Sequence, residues 1–256
     1  MCRWAAWTGE PILLEELLSA PSNSLINQSR HACKAKTDVN ADGFGVAWYG
    51  DQPFPGQYRD ILPAWSDANL RSMAQHICSP LFLAHVRAST GTALSRENAH
   101  PFVHENWSFM HNGQVPGYAK VRQQIEGMIA PEHYASRQGS TDSEALFLLA
   151  LGQGIEHDPL GAMARVVQMV SPLCGAGLRM TAAFSDGKRL FAVRYTNDAI
   201  APSLFVRRNR QGWSVVSEPL DVEGEIWHEV PAGHAIVCDG TTLTQHPFCA
   251  SSLRAA

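Results

Sequence analysis

Cys2 is the residue of this chain best placed to start a reaction. If the initiator methionine is removed, as is usual before a residue as small as Cys, a free α-amine stands on the same residue as the thiol. A cysteine thiol titrates near about 8.5 and an α-amine near about 7.7–8.0, so at neutral pH some amine is free to take the thiol proton, directly or through one water. Nucleophile and base then share one residue. Position alone also fits a small apolar residue on an edge strand.

Three other places offer matching chemistry. Arg87 closes the apolar run Leu83-Ala84-His85-Val86, where a guanidinium is costly unless it meets water, a carboxylate or a substrate. Its planar fork suits two-point capture of a carboxylate, and a strand-end salt bridge is the plain alternative. Asn112 and Gly113 follow His111. An Asn amide beside a Gly N–H can aim two donors at a developing oxyanion, or the pair can simply make a turn. Asp142 sits in Thr141-Asp142-Ser143-Glu144, which has capping-box spacing. Its carboxylate would lie in a first helical turn and serve either the helix dipole or a substrate ammonium.

These residues need elements to hold them. Residues 1–8 predict a strand and 11–18 a helix opened by Pro11. A turn at 40–43 feeds a strand through Tyr49, Ser66 caps a helix to about residue 77, and 81–87 and 107–111 read as strands, the second stopping at Asn112-Gly113. Helices follow from Thr141 and, to about residue 170, from Asp158-Pro159. The final third alternates short strands at 178–184, 190–195, 204–208, 213–217 and 235–238, with a hairpin signal at Asp186-Gly187. With no repeat or compositional break, this predicts one layered α+β domain over residues 2–256, with mostly antiparallel sheets.

Composition narrows the partners. The 256 residues carry a net charge of −4, with 45% hydrophobic and 17% charged residues, which excludes a disordered chain. Mild acidity argues against nucleic acid, whose phosphates demand clustered Lys and Arg; the run Arg207, Arg208, Arg210 reads as a solvated hairpin end. No stretch reaches the roughly 20 apolar residues of a membrane span, and no signal-like core precedes Glu10-Pro11, so a cytoplasmic protein without membrane partners is expected. The six cysteines hold no C-x-x-C pair, and all but Cys2 read as small buried residues. Asp38-x-Asn40-x-Asp42-Gly43 opens like a calcium loop but has Tyr49 where Glu is required, and His100, His104 and His111 lack a zinc motif, so no metal is expected.

The motifs also come in a telling order: Cys2, Asn40-x-Asp42-Gly43-Phe44-Gly45, Arg87-x-x-Thr90, Asn98-Ala99-His100-Pro101-Phe102, His111-Asn112-Gly113 and Ser140 to Glu144. This order resembles a class II glutamine amidotransferase domain of the N-terminal-nucleophile hydrolase superfamily, from Cys2 to about Leu151. Ser217-Glu218-Pro219-Leu220 and Val230 to His234 also resemble family segments. Met1-Cys2-Arg3 and the segment ending Val46-Ala47-Trp48-Tyr49 are most similar to standalone bacterial members, including the ergothioneine-pathway γ-glutamyl amidohydrolase type.

The resemblance implies a four-layer αββα sandwich of two mostly antiparallel sheets, with Cys2 at the end of a central strand. It implies that Arg87, with Thr90 beside it, holds the α-carboxylate of glutamine. Asp142, with the Gly113 backbone, would hold the α-ammonium, and Asn112 with the Gly113 N–H would form the oxyanion hole. Synthase-linked members carry Trp and His where this chain has Ala88 and Gly91, which leaves room for a larger γ-glutamyl substrate. The expected activity is cleavage of the γ-amide of glutamine through a γ-glutamyl thioester on Cys2, without a cofactor; the alternatives are hydrolysis of a small γ-glutamyl conjugate or a non-catalytic binding module. The length leaves no room for a synthase, so an enzyme that uses the ammonia would be a separate chain.

Overall fold

The computed structural model describes residues 2–34, 38–89, 91–221 and 227–249. Its strands in chain order are β1 (Arg3–Leu13), β2 (Phe44–Tyr49), β3 (Gly56–Asp60), β4 (Cys78–Val86), β5 (Phe102–His104), β6 (Trp107–Gln114) and β7 (Arg179–Ser185). They continue with β8 (Leu190–Thr196), β9 (Phe205–Asn209), β10 (Gly212–Val216), β11 (His228–Glu229), β12 (His234–Cys238) and β13 (Leu243–Pro247). The α-helices are α1 (Glu15–Leu18), α2 (Leu25–Arg30), α3 (Ala68–Ala74), α4 (Tyr118–Glu126), α5 (Pro131–Tyr134), α6 (Asp142–Gly152) and α7 (Pro159–Cys174).

Two antiparallel sheets form, in the orders β11-β9-β10-β1-β4-β2-β3 and β13-β12-β8-β7-β6-β5. Side chains alternate across each strand, so each sheet needs cover on both faces. The first sheet turns Ala5, Trp7, Phe82 and Ala84 outward onto Leu17, Leu25 and Leu70 around α1 to α3. Its inner face places Trp4, Ala6 and Leu83 against Met110, Ala183 and Ile236 of the second sheet. The outer face of the second sheet packs Phe109, Ala182 and Val193 on Ile125, Phe147 and Val166 of α4, α6 and α7. Phe109 and Phe147 stack with centroids 5.3 Å apart, a pairing that contributes about 0.5–1.5 kcal/mol beyond area burial. The result is the expected αββα sandwich. Residues Ser143 to Leu151 of α6 are all buried, because that helix is roofed by α5 and α7.

Several local expectations are corrected. Pro11 does not open a helix: it lies inside β1, where the pairing with β4 shifts register between Thr8 and Ile12, an irregularity that accommodates a residue without an N–H. The cap of α3 is Asp67, whose side chain accepts from Leu70 N–H, one residue beyond the expected Ser66. Asn112-Gly113 is no turn but part of β6, paired with Thr181 and Met180. Helix α7 runs on to Cys174 rather than ending near 170. Of the cysteines expected inside, only Cys238 is buried, while Cys33 and Cys78 are exposed.

Candidate active site

Strand β1 fixes the nucleophile candidate. It pairs Arg3 with Val86 and Trp4 with His85, which brings Cys2 to the end of β4. Trp4 and Ala6 face the inter-sheet layer, and alternation puts Cys2 on that face. The Ala88 N–H donates to Cys2 Sγ at 3.5 Å and the thiol donates to the Ala88 carbonyl at 3.6 Å. A cavity of about 560 Å³ opens there, and Cys2, Arg87, His100, Gly113, Tyr118 and Asp142 all stand on its wall.

Arg87 is held by the turn before β2. Asp42 N–H donates to the Arg87 carbonyl at 3.0 Å, and the Asp42 carboxylate accepts from Ser89 N–H at 2.7 Å. The guanidinium donates to the Asp42 carbonyl at 3.2 Å and to Thr92 Oγ1 at 2.6 Å, with longer bonds to Ser89 Oγ and the Ala93 carbonyl. Gly45 matters here: a Cβ on it would lie 2.2 Å from the His100 carbonyl, so only glycine lets that wall of the cavity approach β2. Thr90 lies outside the described residues.

Asp142 starts α6. Its carboxylate accepts from Val115 N–H and Ser143 N–H, both at 2.8 Å. Thr141 Oγ1 accepts from Glu144 N–H at 3.1 Å, but Glu144 does not complete a capping box. Its two oxygens accept instead from Gln138 N–H and Gly139 N–H at 2.8 Å each. They tie down the loop that leads to Asp142.

Asn112 is not among the residues that share the cavity wall with Cys2. It lies on the same strand face as Met110, fully buried, with neither amide atom hydrogen-bonded among the described residues. His111 points the other way, its ring bridging Ser143 Oγ at 2.9 Å and the Arg179 carbonyl at 3.2 Å. A carbonyl only accepts, so Nε2 carries the proton and the Ser143 hydroxyl donates to Nδ1.

Burial pushes the Cys2 thiol up, against the opposing pull of the Ala88 N–H and the charges on Arg87 and Arg3. Burial also lowers Arg87, while the Cys2 and Asp42 charges favour its cation. His111 is lowered by burial, with Asp142 opposing, so the imidazole on the cavity wall is neutral near pH 7.

Beneath Cys2 lies an ion pair that sequence reasoning missed. Arg3, fully buried, meets Glu218 at 3.4 Å and donates to the Lys34 carbonyl at 2.7 Å. Glu218 accepts from Cys33 N–H at 3.0 Å and Lys34 N–H at 2.9 Å. Its only signal was the Ser217-Glu218-Pro219 segment, far away in sequence. His100 and Tyr118 on the cavity wall were likewise given no role. Among the described residues no group of three or more His, Cys, Asp or Glu is arranged to hold a metal ion, and no helix is long and apolar enough to cross a membrane.

A thiol at a strand end thus shares a cavity with a guanidinium and a carboxylate. The family description "Glutamine amidotransferases class-II" matches residues 22–210, and the chain belongs to that family. It is 31% identical to the probable glutamine amidotransferase DUG3 of Saccharomyces cerevisiae, over 97% of this chain and 84% of that one. It is 30% identical to the gamma-glutamyl-hercynylcysteine sulfoxide hydrolase of Mycolicibacterium smegmatis, over 92% and 95%. A solved glutamine aminotransferase class-II domain protein from Silicibacter pomeroyi superposes with a TM-score of 0.77 at 42% identity, over 96% and 99%. The glutamine phosphoribosylpyrophosphate amidotransferase of B. subtilis shares the fold, with a TM-score of 0.67 at 17% identity over 97% of this chain and 49% of that one.

Proposed function

We propose that the protein hydrolyses the γ-amide of a γ-glutamyl compound with the Cys2 thiol as nucleophile. The observation that carries this reading is the convergence of Cys2, Arg87, Gly113 and Asp142 on one cavity. In the mature chain the Cys2 α-amine takes the thiol proton as Sγ attacks the γ-carbonyl carbon. The C–S bond forms and the carbonyl electrons move onto oxygen, where the Gly113 N–H, which lines the cavity, receives them. The intermediate collapses, the C–N bond breaks, and the proton held by the α-amine leaves with the departing amine. Water then attacks the thioester, which frees glutamate and restores the thiol. Arg87 binds the α-carboxylate. Asp142, whose oxygens keep lone pairs beyond the two N–H bonds they accept, binds the α-ammonium.

The leaving group in this reading is larger than ammonia. The cavity runs past Gly113 along Gln114 to Ala119, and the small residues Ala88 and Gly91 stand on its wall. Its volume is in the range that houses drug-sized ligands, and the hydrolase relative is named for a γ-glutamyl conjugate. Two measurements test the proposal. Incubation with diazo-oxo-norleucine followed by intact mass should show one adduct on Cys2; its absence defeats the nucleophile assignment. Turnover of γ-glutamyl amino acids should exceed that of free glutamine, and faster glutamine hydrolysis would restore the glutaminase reading, with a separate ammonia-using enzyme as partner.

A further inference from the structure

Asn98 belongs to a motif in the sequence and has no part in the chemistry above. It ends a short 3-10 turn (Arg96–Asn98) and is 2% exposed. Its amide nitrogen donates to the Ala93 carbonyl at 2.9 Å, the same oxygen that accepts from Arg87 Nη2 at 3.4 Å. The amide oxygen accepts from Ser140 N–H at 2.7 Å, and the nitrogen also reaches Ser140 Oγ at 3.2 Å. Because Ala93 O can only accept and Ser140 N–H can only donate, the orientation of the amide is chemically determined. Ser140 is followed by the cap Thr141 and by Asp142. Gly139 leaves the space this needs, since a Cβ there would lie 2.5 Å from Asn98 Oδ1.

One buried side chain therefore joins the loop that carries the Arg87 contacts to the loop that carries Asp142. We propose that Asn98 is a positioning residue that sets the separation between the guanidinium and the carboxylate, and so selects substrates bearing both an α-carboxylate and an α-ammonium. This rests on the head-group roles proposed for Arg87 and Asp142. A receptor pair misplaced by even about 1 Å weakens two-point binding much more than one-point binding.

The test compares γ-glutamyl-p-nitroanilide with glutaryl-p-nitroanilide, which has the same leaving group and carboxylate but no ammonium. Asn98→Ala should raise KM for the γ-glutamyl substrate at least tenfold, change kcat less than threefold, and change KM for the glutaryl substrate less than threefold. Asn98→Asp keeps the acceptor for Ser140 N–H and loses the donor to Ala93; it should show the same split, and it carries the test if the alanine variant does not fold by thermal unfolding. An unchanged KM for the γ-glutamyl substrate, or equal losses on both substrates, overturns the proposal. Asp142→Asn in the same assay examines the underlying reading: a wild-type enzyme indifferent to the ammonium, with both substrates equally affected by Asp142→Asn, removes the head-group assignment and this inference with it.

Discussion

His85 and His100 stack ring on ring, centroids 4.2 Å apart, both of them buried. Burial holds His85 down to about 3 and His100 well below the usual histidine value, so both are neutral in the fold. The unfolded chain takes up these protons near pH 6.5 and the folded one does so only far lower. Stability is therefore complete above about pH 6.5 and is lost as the pH falls toward 3. From pH 6.5 to 5 the His85 ring should cost about 1.6 kcal/mol, and His100 adds a loss of the same sign. Denaturant titrations at the two values check this: His85→Phe should make the drop smaller, and an undiminished drop rejects the assignment.

Cys2→Ser should retain the fold and lose at least about a thousandfold in kcat, because the hydroxyl is a far weaker nucleophile beside the same amine. A form with residues ahead of Cys2 should be equally inactive. Activity in such an extended form would show that the α-amine is not the base.

Arg87→Lys should raise KM for γ-glutamyl substrates about ten- to a hundredfold with a smaller change in kcat. An ammonium cannot replace the fork, nor span Asp42, Thr92 and Ala93 at once. Steady-state kinetics decide, and an unchanged KM takes Arg87 out of substrate binding.

Glu218→Ala should destabilise the protein by about 3–5 kcal/mol, since it strands a fully buried guanidinium and removes the acceptor of two backbone N–H groups. Urea unfolding measures the loss. A change under about 1 kcal/mol would mean that water replaces the carboxylate.

Legibility differs from residue to residue. The Thr141 cap and the Asp186-Gly187 hairpin were readable because their signals act over two or three residues. Pro11 misled because its conformation suits a helix start as well as a strand irregularity, and the pairing of the next two residues, Ile12 with Ser79 and Leu13 with Cys78, decides between them. Strands β3 and β13 were not foreseen: they are edge strands rich in polar residues, with no buried alternation to report them. Helix α4 starts at Gly117 without a side-chain cap, so it carried no start signal. Around the cavity the chemistry-bearing types were legible, but not what holds them. Glu218 reaches Lys34 across 184 positions and Asn98 reaches Ser140 across 42, and no local pattern encodes such pairings.

Chain termini ordinarily fray, yet here the backbone is hydrogen-bonded on both flanks almost from its first residues, with β4 on one side and β10 on the other. Heat or denaturant that peels away the peripheral ribbons would leave the sulfur in register until the whole sheet gives way. Loss of the activity proposed for Cys2 and global melting should thus coincide, because the strand beside that sulfur is clasped in the middle of its sheet.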